Sequence, residues 1–127
     1  MSGGKRRLLV VDDEVDFSEF VRELAIRHGF DVETAENGRV AKEKFRTFSP
    51  DTIVIDIVMP QADGIEFIDW LGQSSANIRL VVVTGFNPHY AELAEKLAQA
   101  RGLSSVVVLM KPVRVATLLK ALNSEPS

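Results

Sequence analysis

Five short runs along the chain are dense in Val, Ile and Leu: Arg7 to Val11, Asp31 to Ala35, Thr52 to Asp56, Arg79 to Thr84 and Ser105 to Met110. Their length and β-branched content predict strands. Most are nearly continuous in apolar residues, as in TIVIDIV and LVVVT, which suits strands covered on both faces. The second, DVETA, alternates and fits an edge.

The intervening segments carry a helical period. Phe17, Phe20, Val21 and Leu24 form a stripe in Val15 to His28, and Val40, Ala41, Phe45 and Phe48 form one in Arg39 to Phe48. Ile65, Ile68 and Leu71 mark Gly64 to Leu71, and Val115, Leu118, Leu119 and Leu122 mark Val113 to Leu122. The clearest stripe is Tyr90, Leu93, Ala94, Leu97 and Ala98, in a helix that Asn87-Pro88 starts and Gly102 stops. Asn37-Gly38, Ser49-Pro50, Asp63-Gly64 and Gly29 fall at element ends.

Strands alternating with helices predict an α/β fold: a doubly wound, five-stranded parallel sheet with right-handed crossovers and helices on both faces. The commonest order for such a sheet is 2-1-3-4-5, the flavodoxin-like arrangement. The 127 residues suit one domain, expected over 5–122, with 1–4 and 123–127 as flexible ends.

Composition narrows the function. Hydrophobic residues make up 46% and charged ones 26%, the balance of a soluble globular protein. Net charge is −3 and basic residues are dispersed apart from Lys5-Arg6-Arg7, so no basic face points to nucleic acid. The apolar run after that trio is interrupted by acids too soon for a leader or a membrane span; a cytoplasmic protein is expected. The absence of cysteine excludes disulfides, thiol catalysis and Cys-based zinc sites. The two histidines, His28 and His89, lack ligand-like spacing.

In a doubly wound sheet, ligands bind beyond the carboxyl ends of the strands, where the strand order reverses. Strand 1 ends at Asp12-Asp13, strand 3 at Asp56, strand 4 at Thr84 and strand 5 at Lys111-Pro112. Neighbouring strands bring their end groups to about 5 Å. At an effective dielectric near 20, each close pair of carboxylates repels by roughly 3 kcal/mol. Acids so placed hold protons or recruit a cation, and hard oxygen ligands with room for water favour Mg²⁺. With the Thr84 hydroxyl and the Lys111 ammonium added, the set reads as a phosphoryl-transfer site.

Singly, these residues have ordinary explanations. Asp13 fits a cap for the helix beginning near Val15, Thr84 is a common strand-end residue, Lys111 is weak alone, and Met59-Pro60 and Lys111-Pro112 fit simple turns. Asp56 resists this treatment because it interrupts an apolar strand from which an unpaired acid is excluded.

The stretches VVDDE, IDIVMPQADG, VVVTG and KP together resemble the receiver domain of two-component response regulators, over about Lys5 to Leu122. The resemblance implies that Asp56 accepts a phosphoryl group from a histidine kinase, a phosphotransfer protein or a small phosphodonor, and that the domain is not an enzyme beyond loading and slowly unloading itself. It implies that Asp13, Asp56 and the Val58 carbonyl coordinate Mg²⁺, with Asp12 acting mostly through a metal-bound water. By the same resemblance Thr84 binds a phosphoryl oxygen and moves inward, Lys111 pairs with another across a cis peptide to Pro112, and Gly85 leaves the crevice open. The output surface it implies is the face of helix 4, strand 5 and helix 5, meeting a downstream protein. Glu14 receives no role.

Two features depart from the family pattern. Val108 stands where an aromatic commonly swings between exposed and buried positions, so signal must pass through loop movement near Thr84 and Phe86, or the output differs. The segment from Thr84 to Lys111 is longer than usual and is similar to receivers found with cyclic-di-GMP phosphodiesterase domains, which this chain does not contain. With no output domain in view, binding is expected to carry the signal. A phosphorylation-independent interaction module is the alternative, and a small Mg²⁺-dependent phosphohydrolase the third reading, weakened by the absence of an evident general acid.

Val58 and Phe86, each two residues after a site residue, are bulky and apolar where the family tunes access of water. They predict slow loss of the phosphoryl group; a lifetime of seconds in purified protein with Mg²⁺ contradicts that expectation.

Overall fold

The computed structural model describes residues 5–74, 77–85, 88–103 and 105–123. Residues 1–4 and 124–127, expected as flexible ends, and Phe86 and Asn87 lie outside the described residues. Five strands, β1 (Arg7–Val11), β2 (Asp31–Ala35), β3 (Thr52–Asp56), β4 (Arg79–Thr84) and β5 (Ser105–Met110), coincide with the predicted runs. They alternate with α1 (Val15–Arg27), α2 (Gly38–Phe48), α3 (Asp63–Gln73), α4 (Pro88–Ala100) and α5 (Val115–Asn123).

The strands pair in parallel in the order β2-β1-β3-β4-β5, as expected of the flavodoxin-like arrangement. The chain leaves β1 toward β2 on one side and then returns to β3 on the other, so the reversal lies between β1 and β3.

Alternation along each strand divides the core in two. Leu9, Val11, Ile53, Ile55, Leu80 and Val82 face α2, α3 and α4 through Ala41, Phe67, Ile68, Leu71, Ala94 and Ala98. Leu8, Val10, Val54, Val81 and Val83 face α1 and α5 through Val21, Ala25, Leu118, Ala121 and Leu122. Both faces of β1, β3 and β4 are therefore dry, which is why their sequences read as continuous apolar runs. β2 at the edge alternates between exposed and half-buried, as its sequence predicts.

Two helices turn inward a face that overlaps the predicted stripe only in part: Val21 of α1 and Ala94 and Ala98 of α4 are buried as expected, but other stripe residues are not. In α1 the buried residues are Ser18, Val21 and Ala25, while Phe20 is exposed. In α4 they are Ala91, Ala94 and Ala98; Tyr90 and Leu93 lie outside, 44% and 52% exposed. Small residues at this spacing let a helix lie close on the sheet, and that close approach outweighs burial of the larger side chains. The last helix starts at Val115, two residues after its predicted start, and runs through Asn123. No helix among the described residues is long and apolar enough to cross a membrane.

A close approach also sets the loop after β3. A Cβ on Gly64 would lie 2.7 Å from the Ile57 carbonyl oxygen, 2.8 Å from that of Asp56 and 2.8 Å from Ile57 Cα. These are backbone atoms with no rotamer to change, so Gly64→Ala must push the start of α3 away from the end of β3. We predict a loss of about 1–3 kcal/mol in urea unfolding, typical of overpacking; an unchanged midpoint would show that the loop yields freely.

Candidate functional site

The reversal between β1 and β3 places Asp12 and Asp56 at neighbouring strand ends. Asp12 follows β1 directly, its backbone N–H donating to the Ala35 carbonyl at 3.0 Å, and Asp56 is the last residue of β3. Both are buried, whereas Asp13 is exposed. One carboxylate oxygen from each of Asp12, Asp13 and Asp56 lies within 4.8 Å of the others, close to the separation that strand spacing predicts.

Backbone amides orient the two buried acids. Glu14 N donates to Asp12 Oδ1 at 2.8 Å, and Val58 N donates to Asp56 Oδ1 at 2.9 Å. Both are local bonds across two residues, the turn that Asp side chains favour, and each leaves the Oδ2 atom directed elsewhere. Lys111 Nζ meets those atoms, 3.1 Å from Asp12 Oδ2 and 3.1 Å from Asp56 Oδ2.

Glu14 Oε1 takes a third donor of the same ammonium at 2.6 Å, and the Phe17 ring lies 4.3 Å from Nζ. The Lys111 side chain is only 17% exposed. Glu14 and Phe17 are the residues that sequence reasoning missed. Adjacency of Glu14 to the acidic pair was the available signal, since a residue at the start of a helix can turn its side chain back over the strand ends.

Thr84 is fully buried at the end of β4, one residue beyond Val83, which pairs with Asp56. Its carbonyl accepts from Lys111 N at 2.9 Å, tying the ends of β4 and β5 together. A Cβ on Gly85 would lie 3.0 Å from Lys111 Cβ, so this glycine makes room for the lysine stem. The Lys111-Pro112 peptide is cis. Val58 is on the exposed side of the crevice, while Met59 packs into the core. Asp13 is not the cap of α1: the N-cap is Glu14, and it makes no side-chain capping bond.

Burial dominates the electrostatics of Asp12. It pushes the carboxyl up from 3.8 to about 6, against the Glu14 N–H and the Lys111 ammonium, which favour the anion; the Asp56 charge adds to the rise. Burial disfavours the charged form of Lys111, but hydrogen bonds to Glu14, Asp12 and Asp56 outweigh it and hold the lysine above its usual range. The group therefore stays an ammonium at neutral pH.

A hard divalent cation fits this donor set. The ligands on offer are carboxylate oxygens, two of them buried where an uncompensated negative charge is costly, and Asp13 faces solvent, from which an ion and its waters enter.

Known proteins are similar to this chain in sequence and in fold. The model of the family described as "Response regulator receiver domain" matches residues 8–123. The chain is 30% identical over 118 residues to the chemotaxis protein CheY of Bacillus subtilis, spanning 92% of this chain and 94% of that one. It is also 30% identical to the CheY of Treponema pallidum, over 94% of this chain and 86% of that one. The solved structure of the chemotaxis protein CheY4 of Vibrio cholerae superposes with a TM-score of 0.79 at 28% identity, covering 94% of this chain and 97% of that one.

The raised pKa of Asp12 has a consequence for stability. A carboxyl that titrates higher in the fold than in the unfolded chain stabilises the fold fully below its unfolded value of 3.8, and that contribution is lost as pH rises through about 6. Asp12→Asn removes the loss. We predict that, in metal-free buffer, its stability relative to wild type rises by roughly 1–3 kcal/mol between about pH 4 and pH 7.5. Urea unfolding across that range is the check, and a difference that does not change with pH contradicts the assignment.

Proposed function

The chain belongs to the response regulator receiver family of two-component signalling, and from that premise we propose that it is a phosphorylation switch loaded at Asp56. Receiver domains are signalling domains rather than turnover enzymes. The observation that carries the proposal is the setting of Asp56: a buried carboxylate at the point of strand reversal, oriented by the Val58 amide and held against a half-buried ammonium.

In the proposed reaction an Asp56 carboxylate oxygen attacks phosphorus. The P–N bond of a phosphohistidine, or the P–O bond of acetyl phosphate, breaks, and its electron pair leaves with imidazole or acetate. Asp56 becomes an acyl phosphate that carries more negative charge than before. Lys111, fixed within the crevice, offsets that charge at an oxygen of the incoming group. The Thr84 hydroxyl, at the neighbouring strand end, donates to a second oxygen. Asp12, Asp13, Asp56 and the Val58 carbonyl would hold Mg²⁺, which when bound neutralises charge on the transferring group.

The proposed donors are a histidine kinase or a phosphotransfer protein in the cytoplasm. The proposed output face is that of α4, β5 and α5, where Tyr90, Leu93, Met110 and Val115 are exposed although apolar. Several large apolar side chains outside on adjoining elements support a protein-binding surface.

The test is intact mass after mixing with acetyl phosphate or phosphoramidate and Mg²⁺. We expect wild type to gain one phosphate and Asp56→Asn to gain none. No adduct on wild type points instead to a phosphorylation-independent module, and continuous release of free phosphate with turnover points to a hydrolase.

A further inference from the structure

Lys111 carries more partners than its proposed task requires. An ammonium has three N–H donors, and here three carboxylates take them: Glu14 at 2.6 Å, Asp12 at 3.1 Å and Asp56 at 3.1 Å. The Phe17 ring covers a further side of the group. A phosphoryl oxygen arriving at Asp56 must therefore displace one of these contacts before it can pair with Lys111.

The three partners differ in how easily they leave. Asp12 and Asp56 are buried, and backbone amides pin their Oδ1 atoms. Glu14 is 64% exposed, has no capping bond to its own helix, and lines an open cleft of about 510 Å³ with Phe17, Phe20, Gly85, Pro112 and Val113. It alone can exchange the lysine for water without breaking another contact. Yet it makes the shortest of the three bonds.

We infer that Glu14 is a positioning residue that competes with the phosphoryl group for Lys111, so that its charge slows the loading of Asp56. Two effects act in one direction. Glu14 occupies the donor that the phosphoryl oxygen needs, and it places a negative charge beside the crevice that an anionic phosphodonor must enter. Lys111 does not need Glu14 in order to stay in place, because Asp12, Asp56 and Phe17 still hold it. The inference rests on the phosphoacceptor reading of Asp56.

Glu14→Gln keeps the size and removes the charge. With Mg²⁺ and acetyl phosphate, followed by intact mass, the initial rate of phosphate uptake should rise about three- to fivefold, the scale of one partly exposed ion pair. The gain should shrink at high salt, where exposed charges are screened, which a change of packing would not do. In unphosphorylated, metal-free protein, a double-mutant cycle of Glu14→Gln and Lys111→Met in urea unfolding should show favourable coupling between the two side chains.

Uptake by Glu14→Gln no faster than by wild type, a gain indifferent to salt, or no coupling in the cycle overturns the inference. If wild type itself takes up no phosphate, the phosphoacceptor reading has failed and the inference falls with it. That outcome is distinct from one in which wild type is loaded and Glu14→Gln gains nothing.

Discussion

One ammonium group makes the carboxyl end of this sheet tolerable. Parallel pairing brings the ends of β1 and β3 side by side, and both end in acids. Asp12 and Asp56 are buried, with Asp13 close by. At an effective dielectric near 20, unscreened carboxylates so placed would repel by roughly 3 kcal/mol per pair. Lys111 answers from the end of β5, 99 residues along the chain from Asp12, and bridges the two buried acids. The arrangement needs thin backbone around it: Gly85 admits the lysine stem, and Gly64 lets α3 begin against the carbonyls that follow β3. Even with this partner, Asp12 titrates near 6 because desolvation wins. The site is therefore held in an electrostatically incomplete state, which a cation would relieve.

The strands were legible because their signal is one-dimensional. A strand dry on both faces must be apolar at successive positions, and β1, β3 and β4 contain little else. Helix faces were less legible, because a stripe records which residues are apolar without recording how near the helix must come to the sheet. In α4 the alanines Ala91, Ala94 and Ala98 go inward and Tyr90 and Leu93 stay out. The choice is made by the close approach of helix and sheet, which involves residues distant in sequence. α1 follows the same logic, with Ser18 buried and Phe20 outside.

The site divides along the same line. Asp12, Asp13, Asp56, Thr84 and Lys111 were found by asking which polar residues end strands, a question that topology alone answers. Glu14 and Phe17 escaped because they belong to a turn and a helix face, and their value depends on where the Lys111 side chain lies after β5. That path is set by Gly85 and by the backbone bond from Lys111 N to the Thr84 carbonyl. Contacts between two side chains on different elements are the part of a site that no single segment encodes.

The same bond bears on the missing aromatic. Val108 pairs with Val82 and packs, half-buried, against the core on the side of α2, α3 and α4, so it has neither the size nor the freedom to swing outward. Thr84 pairs with Met110, and its carbonyl accepts from Lys111. Met110 is exposed, on the opposite side of the strand from the lysine that follows it. That backbone bond joins the buried threonine to Lys111, the chain neighbour of Met110, which already stands on the outer surface. In the proposed switch, a displacement of Thr84 would be carried to that strand end by main chain, where the family commonly uses a ring.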